Sequence, residues 1–128
     1  MILFLGAAFG FVSVAFGAFA EHGLRENISA EHFRFLMTAV RYNQVHAAVI
    51  TAIGIFLLSK TTSPINQHLR WSGSLISLGT MLFSFSIYLS VMFDIPALVN
   101  ITPIGGMTIM AGWLLLAYAA ARATKANR

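Results

Sequence analysis

The chain has 128 residues, of which 58% are apolar and only 9% charged; it has no cysteine and a net charge of +4. Soluble domains carry about 25% charged and 45–50% apolar residues, so these values, with a mean hydropathy of +0.79, exclude a soluble globular domain and a disordered chain. Without thiols, disulfide scaffolds and cysteine-ligated zinc or iron–sulfur centres are excluded as well. What remains is an integral membrane protein, divided into spans of about 20 residues.

Residues 1–20 carry no charge and form the first expected span. Ala18-Phe19-Ala20 has the look of a signal-cleavage site, but no basic residue precedes the long apolar run, which favours a retained helix. Gly6, Gly10, Ser13 and Gly17 fall on one helical face and let another helix approach closely. Packing within the chain is the reading preferred over a dimer face. Residues 21–41 then hold three acids, three arginines and two histidines. Ser29 is an expected N-cap with Glu31 in the first turn. Phe33, Leu36, Met37 and Val40 share one face, while Glu31, Arg34, Thr38 and Arg41 share another. With no Pro or Gly between Ala30 and Ile53, an amphipathic helix is expected to run unbroken into a second span at 42–59, with Phe35 as an interfacial anchor.

A polar linker follows, from Lys60 through Thr61-Thr62-Ser63-Pro64 to Arg70. Residues 71–93 give a third span, in which Gly73, Ser77, Thr80 and Ser84 repeat the small-residue pattern. The fourth span is expected at 102–121, with Thr102 as N-cap and Pro103 as the first helical residue. Met107 and Met110 read as packing residues. The fold class is therefore all-α: an integral membrane four-helix bundle in a single domain over 1–128, with an amphipathic extension before the second span. Lys60, Arg70, Arg122, Lys125 and Arg128 on one side, against Arg25, Arg34 and Arg41 on the other, place both termini in the cytoplasm. No clustered basic stripe of the kind nucleic acid requires is present.

In that topology each span carries its most polar or glycine-rich part into the outer leaflet. Span one ends at Glu21 and His22; span two starts with Arg41, Tyr42, Asn43 and His46. Span three brings Ser84, Ser86 and Tyr88, and span four brings Thr102, Gly105 and Gly106. His46 lies about 7–8 Å deeper than Arg41, where ionisable groups face the interior and are paired. Tyr42, Asn43 and His46 are spaced for a local hydrogen-bond network, either structural or functional. A Glu21–Arg41 pair would hold the ends of spans one and two together. Gly105 and Gly106 either leave first-turn amides open to an anion or allow close packing against the small-residue face of span one. His32 and His68 read as solvated residues on opposite sides.

The segments GAFAEHGL (residues 17–24), RYNQVHA (41–47), FSFSIY (83–88), TPIGG (102–106) and GWL (112–114) occur in this order. Together they resemble the YgdD-like family of small membrane proteins, grouped as a domain of unknown function, over essentially the whole chain. The resemblance implies four membrane helices and residence in the bacterial inner membrane, and it supplies no reaction, substrate or cofactor. The family pattern has a small residue where Glu21 stands, which shifts weight to His22.

Three functional readings follow. The first is a scaffold or accessory subunit that binds a lipid, a quinone-like molecule, a membrane partner or a second copy at the outer-leaflet polar site. It fits a chain with no nucleotide loop and no nucleophile–base–orienter set. The second is a small proton-coupled transporter, which needs an ionisable group reachable from both sides; no carboxylate is embedded, and His46 lies toward one side. The third is haem ligation by His22 and His46, which requires two facing ligands.

Overall fold

A computed structural model describes residues 1–59 and 65–126, and all regular elements among them are helical. Lys60, the 61–64 linker and Arg128 lie outside the described residues. Helix α1 (Ile2–Phe19) continues into a single π-helical turn, Ala20–Leu24. Helix α2 (Ala30–Leu58) is capped as expected, the Ser29 hydroxyl accepting the His32 N–H. Helix α3 (Ile65–Thr80) passes through a second π turn, Met81–Phe85, into α4 (Ser86–Phe93). It thus begins six residues before the expected start at 71. Asp94 ends α4 in the left-handed region, at φ 52° and ψ 48°, and a 3-10 helix, Pro96–Ile101, leads into α5 (Thr102–Ala126).

Among the described residues, three helical runs are long and apolar enough to cross a membrane: Ile2–Leu24, Ile65–Phe93 and Pro96–Lys125. Helix α2, which carries the expected span at 42–59, has the length at 29 residues but is not among them. Those residues are uncharged, yet Asn43, Gln44 and His46 make their first turns strongly polar.

Neighbouring helices run antiparallel and touch through small residues. A Cβ on Gly6 would collide with Thr51, and one on Gly54 with the backbone of Leu3, so α1 and α2 meet backbone to backbone. Helices α3 and α5 meet in the same way at Gly79 and Gly105. The small-residue face of α1 is therefore used for contact inside the chain at Gly6, whereas α3 meets α5 through Gly79, outside its expected face of Gly73, Ser77, Thr80 and Ser84. Met107 and Met110, expected to pack, point outward instead and are exposed.

Two apolar clusters form the core. One gathers Ala20, Leu36, Ala39, Val40, Ile87 and Tyr88; the other gathers Phe9, Ala47, Ile50, Ile53 and Ile76. On α2, Asn43 and His46 fall between the two clusters, and both are buried. The polar layer is thus enclosed by apolar packing on either side.

Candidate functional site

His46 is held by two directional bonds. Its Nδ1 lies 2.7 Å from the Tyr42 carbonyl oxygen, and the Trp113 indole N–H donates to its Nε2 across 3.2 Å. A carbonyl only accepts and an indole only donates, so Nδ1 carries the hydrogen and Nε2 carries none. The ring is a neutral imidazole with both nitrogens occupied, and neither is open to iron. The Tyr42 ring in turn stacks on Phe83, with centroids 4.5 Å apart.

Asn43 turns away from this pair. Its Nδ2 donates to the Tyr88 hydroxyl at 3.3 Å, and the Tyr88 ring stacks on Phe16 at 4.1 Å. The Ser84 hydroxyl crosses to α2 and donates to the Ala39 carbonyl at 2.9 Å. Ser86 donates back to the Phe83 carbonyl in the π turn before it. The expected network of Tyr42, Asn43 and His46 is therefore split. His46 ties α2 to α5, whereas Asn43 ties α2 to α4.

The two π turns fall on Glu21–His22 and on Phe83–Ser84. A π turn widens the helix by one residue and is frequent at functional sites. Here the second turn carries both Phe83, which stacks on Tyr42, and Ser84, which bonds α2. At the first turn Glu21 pairs with Arg25 at 2.7 Å, one turn along the same stretch, and not with Arg41 as expected. His22 and Arg41 are exposed, and no ion pair or hydrogen bond engages Arg41 among the described residues.

The start of α5 also differs from expectation. Thr102 does not cap it: its hydroxyl donates to the Val99 carbonyl at 2.7 Å, because a 3-10 turn already precedes the helix. A Cβ on Gly105 would lie 2.9 Å from the Gly79 carbonyl oxygen, whereas one on Gly106 would meet nothing within 4 Å. Gly105 thus serves helix packing, but against α3 and the π turn after it, not against the small-residue face of α1 as expected, and Gly106 packs on neither. His68, expected to be solvated, is half-buried beside the Tyr118 ring at 5.4 Å.

Near the Glu21 end the structure adds a cleft that the sequence does not announce. It encloses about 470 Å³ between α2, α4 and the 3-10 segment. Buried Ile87 and Ser90 and half-buried Phe83 and Val91 form its inner side, while exposed His32, Asp94 and Asn100 stand at its mouth. Of the expected site residues only Thr102 lines it. Trp113 was visible in the sequence within GWL, but nothing local marked His46 as its partner. Pro96, two residues after Asp94, was the available signal for a helix end there; the left-handed conformation of Asp94 that shapes the bend was not.

These helices define a small helical membrane protein with a braced polar layer. The family model described as "Protein of unknown function (DUF423)" matches residues 16–106, and the chain belongs to that family. It is 40% identical over 116 residues to a UPF0382 membrane protein of Staphylococcus haemolyticus, covering 91% of each chain. It is 31% identical over 121 residues to the UPF0382 inner membrane protein YgdD of Escherichia coli, covering 94% of this chain and 89% of that one. No solved structure matches it.

Proposed function

We propose that the protein is a four-helix transmembrane bundle that holds an amphiphilic small molecule, lipid- or quinone-like, as a scaffold or accessory subunit of the inner membrane. In this reading α2 supplies the remaining span, residues 30–41 are its amphipathic extension, and both termini are cytoplasmic. The supporting observation is the cleft at the Glu21 end, whose volume suits a small ligand and whose lining is apolar inside and polar at the mouth. An amphiphile meets both conditions, its polar group between His32, Asp94 and Thr102 and its apolar part against Ile87 and Val91.

Most of the polar layer then acts behind the cleft. Phe83 lines the cleft and also stacks on Tyr42, so the Trp113–His46–Tyr42 chain positions one wall. Asn43, Ser84, Ser86 and Tyr88 brace the helices. Transport is less well supported, because both nitrogens of His46 are engaged in internal bonds.

The test is mass spectrometry of the full chain released gently from its own membrane, beside a Ser90→Trp variant that fills the cleft. The expected result is a reproducible added mass on the unaltered protein, absent from the variant. A redox-sensitive ultraviolet band in the extract identifies a quinone, and its absence with a phospholipid mass identifies a lipid. Equal retention by both proteins overturns the reading.

A further inference from the structure

A second concave surface lies on the α1–α2 face, away from the cleft. Its head is formed around Gly17, His22, Arg41 and Gln44. Its continuation runs along Gly10, Ala48, Ala52 and Ile55. The two parts adjoin at Val14 and Gln44, which line both, and together they run as a shallow groove along the helix pair. From Arg41 to Ile55 it follows α2 for 14 residues, about 21 Å of helix, more than the roughly 15 Å depth of one leaflet's hydrocarbon.

Helix packing accounts for Gly6 but not for Gly10. A Cβ at Gly6 would strike Thr51, whereas one at Gly10 would meet nothing nearer than Ala47 Cβ, at 4.0 Å. The groove is therefore open where α1 has a glycine that α2 does not require. The charge at its head is positive: Glu21 is neutralised by Arg25 at 2.7 Å, and Arg41 has no partner among the described residues. A free guanidinium presents a planar fork of donors that matches a phosphate.

We propose that this groove is a binding site for an anionic phospholipid, with the headgroup phosphate on Arg41 and one acyl chain along Gly10, Ala48 and Ala52. The site does not depend on the cleft proposed above, and a defect in one leaves the other intact.

The test is electron paramagnetic resonance of spin-labelled phosphatidylglycerol and phosphatidylcholine with the full chain in phosphatidylcholine vesicles. One basic residue at the membrane surface corresponds to about a fivefold preference for anionic lipid. Arg41→Gln is expected to lower the preference for phosphatidylglycerol by about that factor, while Arg41→Lys keeps most of it. Gly10→Leu, which fills the groove, is expected to reduce the immobilised fraction of both lipids. Ser90→Trp is expected to change neither. The exposed, unpaired side chain of Arg41 makes a folding defect an unexpected consequence of its replacement. An unchanged preference in Arg41→Gln overturns the proposal. So does efficient disulfide dimerisation of Ala48→Cys, the sole thiol in a chain without cysteine, since a second copy would then occupy the groove.

Discussion

Trp113 on α5 donates its indole N–H to Nε2 of His46 on α2, across 3.2 Å and 67 positions of sequence. The bond fixes the tautomer of the histidine, whose other nitrogen is committed to the Tyr42 carbonyl. Tyr42 stacks on Phe83, and Phe83 lines the cleft. One hydrogen bond between two helices is thus connected, through two rings, to the wall of the proposed ligand site.

Breaking that bond gives the first prediction. Interhelical hydrogen bonds in membrane proteins contribute about 0.6 kcal/mol on average and up to about 1.7. Trp113→Phe is expected to cost an amount in that range, measured by reversible unfolding in mixed micelles. His46→Gln keeps one donor and one acceptor and is expected to cost less than His46→Ala. A double-mutant cycle of His46→Ala with Trp113→Phe is expected to show coupling of about 0.6–1.7 kcal/mol; strict additivity would remove the brace from the account.

Much of the helical framework was legible because charge marks its edges. The uncharged runs correspond to long helices, and Ser29 caps α2 where local hydrogen-bonding chemistry says it should. The site was less legible, since its connections join distant positions. Glu21 had two arginines within plausible reach, and the π turn that continues α1 gave it to Arg25 one turn away. Thr102 had the composition of a cap, but the 3-10 turn before it altered the backbone it faces. Charge alone also hid a feature of the second span: 42–59 is uncharged, yet Asn43, Gln44 and His46 concentrate polar groups at its start. The cleft depends on the conformation of Asp94, which composition and periodicity do not register.

That residue yields the second prediction. A non-glycine residue in the left-handed region costs about 1–2 kcal/mol, least for Asp and Asn, whose short polar side chains bond locally. Asp94→Gly and Asp94→Asn are expected to keep the fold. Asp94→Ile, β-branched at φ 52°, is expected to lower stability by about 1–2 kcal/mol and to disturb the cleft. Unfolding midpoints and ligand retention measured together check this. Loss of retention in Asp94→Asn at unchanged stability would assign the carboxylate a direct contact with the ligand.

The proposed orientation gives the third. Glu26 and Thr124 are both exposed, at opposite ends of the helices, and the chain has no cysteine of its own. In right-side-out vesicles a membrane-impermeant maleimide is expected to label Glu26→Cys directly and Thr124→Cys only after permeabilisation. The reverse pattern would put both termini outside and show that the basic-residue difference does not set the topology.

Two adjacent glycines provide the fourth. Gly105 sits against α3, where an added Cβ would lie within 2.9 Å of the Gly79 carbonyl oxygen and of Phe83 Cα. Backbone atoms cannot swing aside as a flexible side chain can, so Gly105→Ala forces α5 from α3 and is expected to cost about 1–3 kcal/mol, as overpacking does. An added Cβ on Gly106 would meet nothing within 4 Å. Gly106→Ala gains helix propensity and is expected to be neutral or to stabilise by up to about 1 kcal/mol. The two changes are chemically identical and one residue apart, so their difference measures the α3–α5 contact with propensity held constant. Equal effects in mixed-micelle unfolding would mean that α5 does not meet α3 through Gly105.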